Sequence, residues 1–373
     1  MLKLKYRPAQ ACTTVCLMKL FLIGGFLGSG KTTAILKASQ LLESEGVPMA
    51  VVTNDQGDQQ VDAAFFRSQG VQAEEVSNGC FCCNFDRLDH HIGRMLEDFN
   101  AEVVFAESVG SCTDLIATVA KPMARLRPDL RMIISVFTDA DLLASLIEGS
   151  ARFTSDDLRY IYKKQLEEAD ILVVNKIDLI PPSRLELVRQ TITEEYPGKV
   201  LLFQNSLKDE DVRAWLDTLN EWPIVGHRNS LELDYDRYGD GEAQLAWLDK
   251  SLVISSPYGE AVRVADRIIH GIYSSLMSRN LAIGHLKFFV EGENWNKKIS
   301  FTMTDSGSEQ LSGSQKETNL KMLINARVQT DPEQLTQIVH DVLNNVVAMY
   351  ACKIEVGRWT AFSPAYPRPT YRI

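Results

Sequence analysis

The stretch Lys19 to Thr33, KLFLIGGFLGSGKTT, leaves this chain few ways to fold. Lys19 to Ile23 is a short apolar run that reads as a strand, and it leads directly into Gly25-Phe26-Leu27-Gly28-Ser29-Gly30-Lys31-Thr32, which fits G-x-x-x-x-G-K-[ST]. Beyond it, Ile35, Leu36, Leu41 and Leu42 recur at helical spacing until Gly46 stops the run. Strand, glycine loop and helix together form a P-loop. Glycines let successive backbone N–H groups turn inward around phosphate oxygens, and the helix N-terminus adds its positive end. Gly25, Gly28, Ser29, Gly30, Lys31, Thr32 and Thr33 are therefore the expected phosphate-binding residues. Lys31 would neutralise the β- and γ-phosphates, and the Thr32 hydroxyl would sit on a Mg²⁺ ion bridging them.

Further strands of one sheet come after this helix. Val47 to Thr53, Glu102 to Ala106, Arg131 to Thr138, Ile171 to Val174 and Val200 to Asn205 are apolar runs separated by helical segments. That alternation predicts an α/β fold with a mainly parallel sheet covered by helices on both faces, whose ligands bind at the carboxyl ends of the strands. Three strand ends carry polar residues suited to this. Asn54-Asp55-Gln56-Gly57 forms a turn in which Asp55 is a candidate Mg²⁺ contact, although a solvated acidic turn has the same composition. Glu107-Ser108-Val109-Gly110 offers Glu107 as a Walker B acid and Gly110 as a hinge. Asn175-Lys176-Ile177-Asp178 reads as the NKxD guanine motif, because Asp178 can accept from the guanine N1–H and 2-amino groups that adenine lacks. Ser206 would close over the base. GTP, cycling to GDP, is the expected nucleotide.

The chain has seven cysteines, three of them in Cys80-Phe81-Cys82-Cys83. Thiols this close can converge on one soft or borderline ion, with zinc the default and cobalt or nickel compatible with the same donors. Redox thiols and buried structural cysteines are the other readings of the quartet. Three ligands leave a coordination position open, which suits an exchangeable ion. His90, His91 and Cys112 are each candidates for a fourth ligand, or one comes from a partner.

The net charge of −10 argues against nucleic acid as a partner, and no apolar window reaches the roughly 20 residues of a membrane span. The expected location is cytoplasmic. Residues 1–17 read as a disordered extension or an over-called start, 18–220 as the nucleotide-binding domain and 221–244 as a polar linker. Residues 245–362 read as a smaller α+β domain with helices on one face of an antiparallel sheet, and 363–373 as an irregular tail. No catalytic constellation is evident in that second half, where His270, His285 and His340 read as structural.

GGFLGSGKTT, the NDQG segment, SNGCFCC, ESVG and NKID resemble, in order and context, the CobW-type metallochaperone GTPases, relatives of UreG and HypB in the SIMIBI class of P-loop GTPases. The resemblance covers roughly residues 18–220. It implies phosphate binding at Gly28 to Thr33, metal binding at Cys80, Cys82 and Cys83, Mg²⁺-linked roles for Asp55 and Glu107, and guanine binding at Asn175, Lys176 and Asp178. The family pattern NEFG is Asn54-Asp55-Gln56-Gly57 here, and its E-T-[ST]-G region contains Cys112 just downstream. The implied activity is slow GTP hydrolysis coupled to delivery of a transition metal or metallocofactor. The implied partner is a client metalloenzyme or cofactor-assembly protein docking on the C-terminal domain, with a nucleotide-dependent homodimer also compatible. A GTPase that assembles or reactivates a cobalamin-dependent enzyme without metal transfer and a P-loop small-molecule kinase are the alternatives.

Overall fold

In the computed structural model, the described residues are 18–57, 61–150, 155–223, 228–302, 309–311 and 316–373. The expected extension at residues 1–17 lies outside them. The first sheet contains β1 (Lys19–Gly25), β2 (Met49–Asn54), β3 (Ala73–Val76), β4 (Val103–Glu107), β5 (Arg131–Asp139), β6 (Ile171–Asn175) and β7 (Val200–Gln204). They run in the order β3-β2-β4-β1-β5-β6-β7, and every pairing is parallel.

Strand periodicity explains why β1 is apolar at every position but its first. Leu20 and Leu22 point into a core shared with helices Phe85–Glu97 and Asp156–Glu168, while Phe21 and Ile23 point into a second core with helices Lys31–Ser44 and Asp209–Glu221. With a helical layer on each face, no side of the strand meets water.

The second sheet contains β8 (Leu245–Ser255), β9 (Ile283–Glu291), β10 (Asn296–Phe301), β11 (Asn319–Gln329) and β12 (Lys353–Phe362), ordered β10-β9-β11-β8-β12 and antiparallel throughout. Leu286, Phe288 and Val290 on β9, with Ile324, Ala326 and Val328 on β11, face helices Ala261–Ser278 and Pro332–Met349 in one apolar core. The alternate residues form the other face, where His285, Lys287, Asn325 and Arg327 stand beside apolar Phe289 and Leu323. Register aligns Asp249, Asn325, Lys287 and Ser300 in one cross-strand row, and Trp247, Arg327 and His285 in the next. That face covers the carboxyl ends of the first sheet.

The stretch read as a linker carries a helix, Tyr235–Ala243, packed on helix Asp156–Glu168. Its N-cap Asp234 accepts from the N–H groups of Asp236 and Arg237, a start signal hidden in a segment whose glycines suggest a loop. The short strand β3 and the helices Val61–Ser68 and Pro182–Glu195 are likewise additions to the elements expected from periodicity. No described helix is long and apolar enough to cross a membrane.

Candidate functional site

A cleft of about 330 Å³ opens at the P-loop. Both domains line it: Lys31, Thr32 and Glu107 from the first, Trp247, Lys287 and Lys298 from the second. Gly28 shows why the glycine loop is needed beyond its phosphate chemistry. Its φ is +77°, and a Cβ there would lie 2.7 Å from Thr302 Cγ2 of the second domain. The loop is thus threaded between its own helix and a foreign strand.

Lys31 Nζ donates to the carbonyl oxygens of Gly25 at 2.7 Å and Phe26 at 3.3 Å, so the ammonium lies curled over the loop where phosphate oxygens would sit. Burial lowers its pKa to about 8, against the opposing pull of Glu107. The Thr32 hydroxyl donates to Glu107 Oε1 at 2.9 Å, which joins the P-loop helix to the end of β4. Glu107 Oε2 is buried with no hydrogen-bond partner, and burial raises this carboxyl above its ordinary range, with Asp62 adding to the effect. A hydroxyl beside a carboxylate oxygen left unsatisfied at a strand tip suits a hard, oxygen-seeking cation such as Mg²⁺.

Asp55 lines the same cleft, but its Oδ1 accepts from Arg327 Nη2 at 2.6 Å and from the Gly57 N–H at 3.1 Å. The residue read as a Mg²⁺ contact is therefore engaged in an ion pair with the second domain. Arg327 is fully buried, pairs also with Asp249 Oδ1 at 2.8 Å and lies over the Trp247 ring at 3.9 Å. Gly57 closes this knot: any Cβ there would collide with the Asp249 carboxylate.

At the far end, Asn175 Nδ2 donates to Ser29 O at 2.8 Å, and its Oδ1 accepts from Ser206 N at 3.0 Å and Ser206 Oγ at 2.8 Å. Asn175 acts here as a brace between the P-loop and the β7 turn. Lys176 lines the cleft and pairs with Asp139 Oδ2 at 3.0 Å. Asp178 stands exposed on the turn Ile177–Leu179, outside the cleft lining. Thr33 and Gly110 both line it.

The cysteine quartet lies between β3 and helix Phe85–Glu97. The Sγ atoms of Cys80, Cys82 and Cys83 lie within 4.8 Å of one another, with Cys80 to Cys83 at 3.3 Å and Cys82 to Cys83 at 3.8 Å. Zinc–thiolate bonds of about 2.3 Å in a tetrahedron separate sulfurs by roughly 3.8 Å, so this spacing fits such an ion. Cys80 Sγ donates to Cys83 Sγ, and its contacts with the Cys112, Cys82 and Cys83 sulfurs hold it below the ordinary thiol range. Cys112 is buried beside Cys80 but lies outside the set of three convergent sulfurs. His91 instead faces Glu74 at 3.9 Å and His90 is exposed, and neither joins the cluster.

The chain's last residues lie over the quartet. Arg368 N–H donates to Cys83 Sγ at 3.3 Å, Thr370 N–H donates to Cys82 O at 2.8 Å, and Tyr371 packs edge-on against Phe85. Residues 363–373 hold neither helix nor strand, yet Arg372 pairs with buried Asp114 at 2.8 Å.

One side chain connects the two sites. Asn54, in the cleft lining, donates to Val76 O at 2.9 Å and Gly79 O at 2.8 Å, and accepts from Phe81 N–H at 2.8 Å. Asn78 N–H also donates to Gly57 O at 3.3 Å. The nucleotide-side turn and the cysteine loop share a hydrogen-bond frame.

Sequence reasoning missed the second-domain wall, Lys287, Lys298 and His285 above all. His285 is buried, burial holds it well below the ordinary histidine range, and its Nε2 has no partner. The available signal was the spacing-of-two recurrence of polar residues, His285 with Lys287, Lys298 with Ser300 and Asn325 with Arg327, in strands otherwise apolar.

Residues 19–202 match the family model "CobW/HypB/UreG, nucleotide-binding domain". The chain is 28% identical over 240 residues to the zinc chaperone CobW of Sinorhizobium sp, covering 57% of this chain and 67% of that one. It is 29% identical over 166 residues to the zinc chaperone YeiR of Escherichia coli (strain K12), covering 43% and 47%. Among solved structures it is similar to HypB from Helicobacter pylori in complex with nickel, at 17% identity and a TM-score of 0.40, covering 57% of this chain and 93% of that one. The chain spans about half to two thirds of the length of the curated relatives it matches first.

Proposed function

The chain carries the nucleotide-binding domain of the CobW/HypB/UreG family, and from that premise we propose that it is a GTP-hydrolysing metallochaperone in which nucleotide state governs a thiolate-held transition metal. Its relatives include proteins named zinc chaperones, which favours zinc as the cargo over cobalt or nickel. The single observation that carries the coupling is Asn54, which lines the cleft and braces the backbone at Val76, Gly79 and Phe81.

In this reading the P-loop and Lys31 bind the phosphates of GTP, and Thr32 and Glu107 hold Mg²⁺. Asp55, whose Oδ1 is held by Arg327 and the Gly57 N–H, fixes the turn that comes after β2. Asn175, Lys176, Asp178 and Ser206 form the guanine end. Loss of the γ-phosphate on hydrolysis would relax the Asn54–Gly57 turn and the Gly110 loop, and through Asn54 the positions of Cys80, Cys82 and Cys83. Slow intrinsic turnover, a cytoplasmic setting, a client metalloenzyme as recipient and a nucleotide-dependent homodimer belong to the same proposal.

The test is titration of zinc, cobalt and nickel into the full chain with GDP and with a non-hydrolysable GTP analogue. Zinc affinity should differ at least several-fold between the two nucleotides, and Cys80→Ser should weaken it in both. An affinity indifferent to nucleotide would remove the coupling.

A further inference from the structure

Metal delivery by the first domain gives no task to the second wall of the cleft. Lys287 on β9 and Lys298 on β10 are diagonal neighbours, since Lys287 pairs in register with Ser300 and Lys298 with Phe289. Their side chains are only 16% and 11% exposed, and both end on one carboxylate, Asp62, at 2.5 Å and 2.6 Å. Asp62 stands in the first turn of helix Val61–Ser68, itself tied to the second sheet by Val61 N–H donating to Asn325 Oδ1 at 2.8 Å.

Burying two ammonium groups against one carboxylate is costly, because each loses its hydration and they share a single counter-charge. The arrangement leaves positive charge over the cleft. Lys287 and Lys298 line it opposite Lys31, Thr32 and Glu107, at the end where Mg²⁺ and the terminal phosphate of a P-loop nucleotide lie. Lys287 is close enough to Lys31 and to Glu107 to influence the ionisation of both. A lysine ammonium is a point charge with three donors on a flexible stem, and it can exchange a carboxylate for a phosphate oxygen without a fixed geometry.

We propose that Lys287 and Lys298 recognise the γ-phosphate, exchanging Asp62 for it, so that the second domain distinguishes triphosphate from diphosphate. The proposal rests on the GTP-binding function proposed for the P-loop and goes beyond it, because it makes the C-terminal sheet part of the nucleotide site. It also supplies a path outward: with a triphosphate bound, Asp62 gives up its two cations, and helix Val61–Ser68 keeps fewer ties to β9 and β10.

Equilibrium fluorescence titration of the full chain with labelled GDP and a labelled non-hydrolysable GTP analogue tests this. Lys287→Met and Lys298→Met each leave Asp62 one partner, so the buried carboxylate stays paired and the variants should fold, as circular dichroism will verify. Each should weaken the analogue about 10- to 100-fold, the size expected for one charge-assisted hydrogen bond, and GDP by less than about threefold. Asp62→Asn, which leaves both lysines unclaimed by a carboxylate, should tighten the analogue and leave GDP nearly unchanged. An unchanged ratio of analogue to GDP affinity across these variants would overturn the inference. If Lys31→Ala abolishes binding while that ratio holds, only the lysine assignment fails. If the unaltered chain binds neither nucleotide, the GTP-binding function falls and this inference with it.

Discussion

The two sheets bring their polar residues to the cleft in different ways. The parallel sheet carries them at strand ends, where each strand breaks into a contiguous motif: Gly25 to Thr33 after β1, Asn54 to Gly57 after β2, Glu107 to Gly110 after β4 and Asn175 to Asp178 after β6. The antiparallel sheet carries them on a face, so that Trp247, Asp249, His285, Lys287, Lys298, Asn325 and Arg327 come from four strands spread over some eighty positions. Strand ends are free of the ladder and can change shape with a ligand. A sheet face is fixed by register on both sides, and its charges must be neutralised by whatever packs on it. The first arrangement builds a loop that responds; the second builds a rigid wall against which the response is registered.

The largest expected effect on nucleotide binding lies on the strand-end side. Lys31→Ala should reduce nucleotide affinity by at least about 100-fold, since it removes the P-loop ammonium curled over the phosphate position, as isothermal titration would show. Retained affinity would mean the second wall, not the loop, binds the nucleotide. Next comes the face. Arg327→Met should cost about 3–5 kcal/mol in urea unfolding, because Asp55 and Asp249 both lose their buried partner. A cost below about 1 kcal/mol would show that the interface charges are independently solvated and that the wall is not rigid.

Glu168 offers a contrast within the first domain. It is a buried carboxyl with only neutral donors, Thr113 Oγ1 at 3.2 Å and Ile116 N–H at 3.3 Å. Burial, with Asp114 adding to it, pushes its pKa up to about 8 from 4.5. A carboxyl whose folded pKa exceeds its unfolded value stabilises fully below the unfolded value, and that contribution declines as pH rises through the folded one. Unfolding free energy should therefore fall between about pH 4.5 and 8 with a slope of at most about 1.4 kcal/mol per pH unit from this group. Glu168→Gln should flatten that segment of the stability profile. Asp62, whose burial is outweighed by Lys287 and Lys298, is held far below the ordinary carboxylate range and should contribute nothing to that slope.

The smallest effect concerns the connection between loops. Asn54→Ala removes three hydrogen bonds to the cysteine loop and should cost about 1–3 kcal/mol, with a reduced difference in zinc affinity between GDP and the GTP analogue. An undiminished difference would move the coupling elsewhere.

The same contrast explains what could be read from the chain in advance. A P-loop, a C-x-C-C quartet and NKxD are local strings, and strand-then-glycine spacing forecast both the parallel sheet and the gathering of Lys31, Thr32 and Glu107 in one cleft. Cross-strand rows are not local. Nothing in the neighbourhood of Arg327 announces Asp55, 272 positions away, and only the pairing of β11 with β8 and β9 brings Arg327 between Trp247 and His285. Helix Tyr235–Ala243 was obscured by Gly239 and Gly241, which serve close packing there; Gly241 lies against Ile161 and Asp157 of the neighbouring helix.

The strip Arg368 to Thr370 sets a condition on any traffic at the sulfurs. It grips Cys82 and Cys83 through the Arg368 and Thr370 N–H groups, with the Thr370 hydroxyl donating to Cys83 O, so side-chain replacements along it leave most of that grip intact while shortening the chain removes it. Peeling it back breaks hydrogen bonds worth about 0.5–1.5 kcal/mol each and, beyond them, the pair of Arg372 with buried Asp114 and the packing of Tyr371 on Phe85. The strip is pinned on both sides of the quartet, by Arg368 and Thr370 at the sulfur loop and by Arg372 on Asp114, so an ion reaching the sulfurs from that side must pass an anchored segment.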